Sequence, residues 1–350
     1  MDGTPAEWSV ALDGGTTNTR ARLIHGDRIV ATARRAVGVR DAVFDSDSRS
    51  LAVAVRAAME EVSRGLGDVR PDLIVAAGML SSEVGLTAVP HVEAPAGIDA
   101  LARGGRSPAP RDRRPADRLR AGRPHPPRRG RRLGRGRRDA REECETVGSW
   151  THLAARSPGR PRRVGSRRGL PLAGLSYKLV AVDAGGRILQ PHHAGRRDDR
   201  GGWRGTRCSR PASRDLPDEP DRAALDAGAR LATREGLGRA AFLVRIAALA
   251  ETLGPEARAS FWLGAVVADD VAHLSRHPML DGPVPVRVGG RQPLRSLYAR
   301  WLGERHAGPV SALDDDLAER ASALGALAIA RRRLELQQNL DSSPEPVRPR

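Results

Sequence analysis

Three arginine-rich windows interrupt the chain and limit which parts of it can fold around a core. They cover residues 103–141, 156–177 and 190–214, and the first holds 16 Arg and 3 Asp in 39 residues. Segments rich in Arg, Pro and Gly without apolar periodicity cannot form a core. The whole chain carries a formal net charge of +17, yet the residues outside the windows are mildly acidic. The regular stretches between the windows therefore determine the fold.

The windows allow three interpretations. One is an electrostatic surface for nucleic acid, although the aromatic residues that usually interleave such segments are nearly absent. Another is a disordered linker, although a structureless loop of 39 residues is uncommon inside a compact domain. The third is translation in a shifted frame, because out-of-frame reading of GC-rich DNA yields an excess of Arg, Pro, Gly and Ala.

The genetic code favours the shifted frame. Read one base later, the codons of residues 169–177 are compatible with Val-Phe-Leu-Trp-Pro-Gly-Ser-His-Thr, a buried strand that enters a polar turn. The same offset gives a second strand and turn from residues 115–124, and a sequence free of arginine from residues 190–199. Lys178, the only lysine of the chain, follows the first of these turns and is a candidate cofactor-binding residue.

Outside the windows, apolar periodicity predicts an α/β protein. A short buried strand at residues 10–12 leads into a loop rich in Gly and Thr, and two further strands follow as a meander. Buried strands are also expected at residues 73–77 and 284–288. The predicted helices lie at residues 51–66, 223–235, 239–253, 255–275, 293–302 and 315–333.

A faint internal repeat divides the chain into two related halves. Residues 21–30 and 178–189 share a strand, a tight turn and a second strand. At about 150 residues per domain, the length also suggests two domains. We predict an N-terminal domain at residues 1–155 and a C-terminal domain at residues 156–335, followed by a disordered tail at residues 336–350.

The loop after the first strand gives the sharpest chemical signal. It runs from Asp13 to Arg20 and begins with Gly14 and Gly15, and Thr16, Thr17 and Thr19 supply its hydroxyl groups. Adjacent glycines let the backbone approach a phosphate closely, and N–H and hydroxyl groups of such a turn can donate hydrogen bonds to an anion. Asp13, at the strand end, is placed to hold a hydrated Mg²⁺ beside the phosphates. Taken alone this motif is often only a tight turn, but the repeat and a later glycine pair favour phosphate binding.

Two further loops are candidate binding sites. Gly289 and Gly290 lie between a predicted strand and a helix, where they could receive the ribose and adenine of a nucleotide or form an ordinary turn. A second strand end carries small and hydroxylated residues, which suit a hydroxylated substrate or a simple glycine-initiated turn. These residues are Gly78, Met79, Ser81 and Ser82.

Glu142 and Glu143 are the candidates for a general base. A carboxylate can take the proton of an attacking hydroxyl group. The alternative is a pair of acids in the first turn of a solvated helix, where their negative charges interact favourably with the helix dipole. The nine histidines show no metal-ligand spacing, and two cysteines exclude a disulfide framework.

Five stretches of the chain resemble the 2-dehydro-3-deoxygalactonokinases, which are sugar-acid kinases of the actin and hexokinase superfamily. The stretches are residues 10–20, 76–82, 142–145, 179–189 and 288–298. The first loop is shared across the superfamily, whereas the loop that begins at Ala77 and the pair of glutamates narrow the resemblance to this family. The resemblance covers nearly everything outside the three windows.

The resemblance implies an α/β fold of two actin-like, ribonuclease H-like domains with a nucleotide cleft between them. It also implies ATP and Mg²⁺ as cofactors, and phosphoryl transfer to the 6-hydroxyl of 2-dehydro-3-deoxy-D-galactonate in galactonate catabolism. By matching position, the residues are Asp13 for the metal, 14–17 for the phosphates, Gly289 and Gly290 for the adenosine, 78–82 for the sugar acid, and Glu142 or Glu143 for the base.

The printed sequence also departs from the family. An intact member would carry Arg-Gly-Glu-Glu where this chain has Ala140 and Arg141 before the glutamates, and loss of one base from a G run produces that change. The second phosphate loop is absent as written. We therefore expect the literal chain to be poorly folded or inactive. The alternatives are a degenerate pseudokinase and an arginine-rich nucleic-acid-binding protein. A small-molecule kinase of this kind is expected in the cytoplasm, without a membrane span.

Overall fold

The computed structural model divides the chain into two compact units. Unit 1 takes the residues up to 160 together with 186–188 and those from 320 onward, and unit 2 takes 161–185 and 189–319. The structure describes residues 8–15, 17–39, 49–67, 70–82, 85–89, 92–104, 140–155, 168–173, 178–183, 185–193 and 217–342.

The described residues form nine strands and eight α-helices. The strands are β1 (Trp8–Gly14), β2 (Thr19–His25), β3 (Arg28–Arg35), β4 (Leu73–Gly78), β5 (Arg168–Ala173), β6 (Lys178–Val182), β7 (Ile188–His193), β8 (Val286–Gly290) and β9 (Val310–Ala312). The helices are α1 (Arg49–Ser63), α2 (Ile98–Gly104), α3 (Ala140–Ala155), α4 (Arg222–Glu235), α5 (Leu237–Leu249), α6 (Pro255–Leu274), α7 (Leu294–Gly303) and α8 (Asp315–Asp341). Single 3₁₀ turns occur at Arg64–Leu66, Met79–Ser81 and Pro278–Leu280.

Unit 1 is built on a four-stranded sheet in the order β3-β2-β1-β4. The first three strands form an antiparallel meander, and β4 runs parallel to β1. Alternate residues of a strand face opposite sides of the sheet. Val10 and Leu12 accordingly pack with the α1 side chains, whereas Ala11 packs in a cluster that includes Cys144 of α3 and Leu327 of α8. The meander and the buried fourth strand confirm the sequence prediction.

Two glycines let α3 and α8 cross closely on that second face. A Cβ atom at Gly148 would lie 2.0 Å from the carbonyl oxygen of Ala321, and one at Gly325 would lie 1.8 Å from that of Cys144. No side chain fits at such distances, so the backbones of the two helices are in direct contact.

Helix α8 extends further than the sequence predicted. It ends at Asp341, so the prediction of a disordered tail is wrong for residues 336–341. Just before these residues, three successive arginines of the helix contact other elements of unit 1. Arg331 Nη1 lies 2.7 Å from Asp27 Oδ1, Arg332 Nε lies 2.6 Å from Asp99 Oδ1, and Arg333 Nη1 donates to the carbonyl oxygen of Ala102 at 3.1 Å. Residues 343–350 lie outside the described part.

The pair between Arg332 and Asp99 predicts a small pH dependence of stability. The hydrogen bond from Arg332 holds the pKa of the Asp99 carboxyl below its ordinary value of 3.8. Because the pKa is lower in the folded state, the contribution is complete above pH about 4 and is lost as the pH falls through the folded-state pKa. We expect Arg332→Gln to raise the pKa of Asp99 and to flatten the acid limb of the stability curve, as measured by urea unfolding between pH 6 and 3. Arg305→Gln, on an exposed arginine, should leave that limb unchanged.

Unit 2 repeats the strand order of unit 1. Its five-stranded sheet has the order β7-β6-β5-β8-β9. β5 is antiparallel to β6 and parallel to β8, as β1 is antiparallel to β2 and parallel to β4. The repeat read from residues 21–30 and 178–189 therefore corresponds to β2–β3 and β6–β7. One main core, formed by β6, β8, α4, α6 and α7, fills this unit.

Two strands of unit 2 enter the arginine-rich windows. β5 lies inside window 156–177, and β7 extends to His193 inside window 190–214. An interpretation of these stretches as disordered is therefore wrong at residues 168–173 and 190–193, where the backbone joins the sheet. Residues 105–139, 156–167, 174–177 and 194–214 lie outside the described part of the chain.

The crossing of α4 and α6 predicts a strong local sensitivity to side-chain volume. A Cβ atom at Gly264 would lie 1.9 Å from the carbonyl oxygen of Leu225. Because backbone atoms must move to admit a methyl group there, we expect Gly264→Ala to lower the free energy of unfolding by about 2 kcal/mol. The control is Gly238→Ala in α5, where a Cβ meets nothing within 4 Å. Helix propensity should make that variant neutral or more stable. Equal effects in urea denaturation would contradict the prediction.

Candidate active site in the first unit

The parallel pairing of β1 and β4 brings two candidate loops together at one sheet edge. Asp13 lies in register with Ala77, and Gly14 lies in register with Gly78. The loop after β1 and the loop after β4 therefore begin side by side. The sequence predicted each loop separately, and the register supplies the contact between them.

Glycine is required where the two loops meet. Gly78 has φ +74°, and a Cβ atom there would lie 2.5 Å from the carbonyl oxygen of Gly14 and 3.1 Å from Asp13 Oδ1. A Cβ atom at Gly14 would lie 2.4 Å from Cγ of Leu80. The two backbones are consequently in contact directly beneath the carboxylate of Asp13.

This contact predicts the effect of replacing Gly78. Gly78→Ala adds both an unfavourable φ and a collision with the Gly14 carbonyl group. Gly67 is a matched control, since its φ of 58° and ψ of −124° resemble the 74° and −147° of Gly78, and a Cβ there meets nothing within 4 Å. We expect Gly78→Ala to be about 1–2 kcal/mol more destabilising than Gly67→Ala in urea denaturation. Equal losses would show that only the backbone conformation matters.

Asp13 is buried at the end of β1, with 6% of its surface exposed. In the β1–β2 register it stands opposite Arg20. Side chains that stand opposite one another in an antiparallel pair lie on one face, and opposite charges there stabilise each other. The sequence analysis included Arg20 in this loop but gave it no role, although a four-residue turn between the two strands places it across from Asp13.

Hydrogen bonds within the loop after β1, and others from Val39 and Arg34 outside it, fix the conformation of this loop. The Gly15 N–H donates to the carbonyl oxygen of Asn18 at 2.8 Å, and the Val39 N–H donates to that of Gly15 at 3.1 Å. Asn18 Nδ2 donates to Thr17 Oγ1 at 2.8 Å. Arg34 donates twice to Asn18 Oδ1, from Nε at 3.1 Å and from Nη2 at 3.0 Å. Asn18 and Arg34 were not among the predicted site residues.

One predicted phosphate-binding residue lies outside the described residues. Thr16 falls in the gap between residues 15 and 17. Its role therefore remains a sequence prediction. Gly15 and Thr17 on either side are both partly exposed, as a loop that receives a ligand requires.

The two serines after β4 are hydrogen-bonded within their own turn. Ser81 Oγ donates to the carbonyl oxygen of Gly78 at 2.8 Å, and Ser82 Oγ donates to that of Met79 at 2.7 Å. Each hydroxyl proton is therefore used locally, and the oxygens are left as acceptors for a hydroxylated ligand. Met79 packs against the core on the α1 side, so its contribution to a substrate pocket would be through its backbone.

The candidate bases lie at the start of α3, which packs against β4 and the turn Met79–Ser81. Glu142 and Glu143 belong to the first helical turn, and their side chains lie outside the described part of the structure. Their neighbour Cys144 is buried in the cluster that contains Ala77. The start of α3 is thus packed, through Cys144, near the strand end that carries Gly78.

In unit 2 the glycine pair differs from its predicted setting. Gly289 and Gly290 are the last residues of β8, not a connection after it, and Gly290 has φ +101°. Arg295, only 3% exposed, donates to the carbonyl oxygen of Gly290 at 3.3 Å and forms an ion pair with Asp315. Lys178 begins β6, and its side chain lies outside the described residues.

The donor set at the sheet edge suits Mg²⁺ held together with a phosphorylated ligand. Within the described ranges, no group of three or more His, Cys, Asp or Glu residues is placed to hold a metal ion. Mg²⁺ is usually bound by one or two carboxylates, waters and the phosphates of the substrate. The single buried carboxylate of Asp13, beside a backbone cradle that a Cβ would fill, fits that arrangement.

A family model matches nearly two thirds of the chain. Its description is 2-keto-3-deoxy-galactonokinase, and it covers residues 13–119 and 212–329. The matched ranges include the end of β1 from Asp13 onward, together with β4 and β8, and thus the candidate loops. No protein with a curated description matches the sequence.

Two solved structures are similar to this chain, and the first supports the fold. The crystal structure of a candidate 2-dehydro-3-deoxygalactonokinase from Sinorhizobium meliloti is 21% identical, with a TM-score of 0.60, and the match covers 92% of this chain and 98% of that chain. A ROK family glucokinase from Streptomyces griseus, solved with glucose and AMPPNP, is 16% identical with a TM-score of 0.42 and covers 93% and 99%. Together with the strand order of each unit, the first match confirms the predicted α/β fold of two actin-like units.

No helix in the described part of the chain is long and apolar enough to cross a bilayer.

Proposed function

Because this chain belongs to the 2-keto-3-deoxy-galactonokinase family, we propose that it transfers a phosphoryl group from ATP to the 6-hydroxyl of 2-dehydro-3-deoxy-D-galactonate. The observation that carries the proposal is the side-by-side start of two loops, one rich in Gly and Thr and the other in Ser, beside the buried Asp13. A phosphoryl donor and a hydroxylated acceptor need such adjacent sites, because phosphoryl transfer depends mainly on positioning and on neutralising charge. ATP as donor places the reaction in the cytoplasm.

In this proposal the loop after β1 binds the phosphates of ATP. Gly14 and Gly15 let the phosphates approach the backbone closely, and the hydroxyls of Thr16 and Thr17 donate hydrogen bonds to phosphoryl oxygens. The Gly15 N–H is already donated to the carbonyl oxygen of Asn18, so the backbone donors are the N–H groups that follow it in the turn. Asp13 orients the water shell and the metal at the same phosphates. Mg²⁺, when bound, neutralises charge on the phosphoryl group and on the leaving oxygen.

The loop after β4 binds the sugar acid. The oxygens of Ser81 and Ser82 accept hydrogen bonds from its hydroxyl groups, because their own protons are donated within the turn. Glu142 or Glu143, at the start of the helix attached to this loop, takes the proton from the attacking 6-hydroxyl. Gly289 and Gly290 of unit 2 receive the adenosine, and Lys178 contributes a positive charge to the cofactor.

The direct test is an assay of ADP release with 2-dehydro-3-deoxy-D-galactonate, with the product identified by ³¹P NMR as a 6-phosphate. D-galactonate, which lacks the 2-keto and 3-deoxy features, is the matched control acceptor. ADP release that requires the keto acid and yields the 6-phosphate supports the proposal. ADP release without a phosphorylated sugar acid, or equal rates with D-galactonate, contradicts it.

We also propose that the printed sequence departs from the functional protein in the three windows. Support comes from β5, since the shifted frame is compatible with a buried strand at residues 169–172 and the backbone forms a strand there. Sequencing the coding DNA for residues 103–214 tests this. Single-base changes at the window edges would define a frame-restored chain for the assays. DNA that reads as printed, with full activity of the printed chain, would refute the proposal.

A further inference from the structure

We propose that Arg34 is a positioning residue that sets the direction in which Thr17 donates its hydroxyl proton. The inference rests on the proposed function, since it concerns the loop that is proposed to bind phosphate. Asn18 lies between Arg34 and Thr17 and is hydrogen-bonded to both. The resulting chain of hydrogen bonds runs from Arg34 through Asn18 to Thr17.

The direction of this chain follows from what each group can donate. A guanidinium group has only N–H donors and no acceptor, so the atom of Asn18 that faces Arg34 must be its oxygen. Two N–H groups of Arg34 reach that oxygen, at 3.1 and 3.0 Å. Arg34 therefore removes the usual ambiguity between the oxygen and nitrogen of the amide group. The amide nitrogen of Asn18 must then face Thr17.

The consequence falls on the hydroxyl group of Thr17. Asn18 Nδ2 donates to Thr17 Oγ1 at 2.8 Å. A hydroxyl group has one proton to donate and two lone pairs to accept with. Since one lone pair is occupied by Asn18, the proton of Thr17 points away from Asn18 and is available to an anionic oxygen. The residue that achieves this is an exposed arginine on β3, outside the loop itself.

A direct electrostatic role for Arg34 predicts a different result. An arginine that attracted phosphate only through its charge would act independently of Thr17. An arginine that acts through Asn18 on Thr17 has no effect once the Thr17 hydroxyl is removed. The two roles are separated by a double-mutant cycle.

The experiment measures the Kd of Mg²⁺-ATP by calorimetry for the full-length protein, in both the printed and the frame-restored forms. The variants are Arg34→Met, Thr17→Val and the double variant, and Arg28→Met on the same strand is the control. Relative to the parent, we expect each single variant to bind about tenfold more weakly. The double variant should also bind about tenfold more weakly than the parent, not a hundredfold. Arg28→Met should bind like the parent, and all variants should keep the melting temperature of the parent.

The outcomes distinguish this inference from the function on which it rests. Additive losses in the double variant, or an Arg34→Met protein that binds ATP like Arg28→Met, overturn the positioning role and leave the kinase proposal intact. A parent protein that binds no ATP in either form overturns the kinase proposal, and the positioning role with it. Coupled losses support both.

Discussion

Asp13→Asn is expected to lower kcat for phosphoryl transfer by about a thousandfold in the frame-restored chain. The substitution keeps the size of a side chain that is 6% exposed at the end of β1. It removes the negative charge that is proposed to hold the metal at the phosphates, and charge neutralisation is the main catalytic requirement of this reaction. The measurement is steady-state ADP release at saturating ATP and sugar acid, with the melting temperature recorded in parallel.

Asp281→Asn is the matched control for that measurement. Asp281 is an exposed carboxylate in unit 2, so its replacement removes the same charge from the protein without touching the site. We expect its kcat to stay within twofold of the parent's. An Asp13→Asn protein that retains a tenth or more of the parental kcat, with an unchanged melting temperature, would exclude Asp13 from the metal site.

The local elements of unit 1 could be predicted because each carries its own signal. The buried run at residues 10–12, the glycine pair after it and the helix at residues 51–66 follow from periodicity and turn chemistry. The contact between Gly14 and Gly78 could not be predicted in the same way. It depends on the register of two strands far apart in sequence, and a single sequence contains no direct record of that register.

The hydrogen-bond chain in the first loop shows a second limit. Asn18 follows the predicted motif immediately, but its partner Arg34 lies on β3 and exposed arginines occur throughout this chain. Nothing in the sequence distinguishes Arg34 from Arg28 at the other end of the same strand. Only the pairing of β2 with β3, which sets Arg20 opposite Arg34, brings that strand end beside the loop.

In unit 2, a segment without strand periodicity nevertheless forms a strand of the sheet. The repeat predicted its second and third strands, because residues 178–189 retain strand periodicity. The first strand, β5, reads Arg-Gly-Leu-Pro-Leu-Ala and carries no such signal. Its place in the sheet is set by its neighbours β6 and β8, so tertiary context overrides local propensity there.

Pro171 offers a way to measure the conflict between the sequence of β5 and its place in the sheet. β5 lies between β6 and β8, so an N–H group at position 171 would face a neighbouring strand on either side, and proline has none to donate. The shifted frame is compatible with leucine at this position. We expect Pro171→Leu to raise the free energy of unfolding of the printed chain by about 1–3 kcal/mol, because this strand regains a backbone hydrogen-bond donor.

The matched control is Pro255→Leu. Pro255 occupies the first turn of α6, where a backbone N–H group has no acceptor within the helix. Replacing this proline therefore restores no helical hydrogen bond, and no gain in stability is expected. Urea denaturation of both variants measures the change in the free energy of unfolding. Equal changes in the two variants would show that Pro171 is not a fault in the sheet.

Restoring the whole reading frame is expected to have a far larger effect on turnover than this single substitution. The shifted frame supplies a Pro-Gly-Ser-His-Thr loop directly before β6, where unit 1 has its Gly/Thr loop directly before β2. Because the printed chain lacks this second phosphate loop, restoring it should raise kcat at least about a hundredfold over the printed chain. The comparison uses both full-length proteins in the same ADP-release assay. Equal turnover would mean that the arginine-rich windows belong to the working enzyme and that the second loop is dispensable for catalysis.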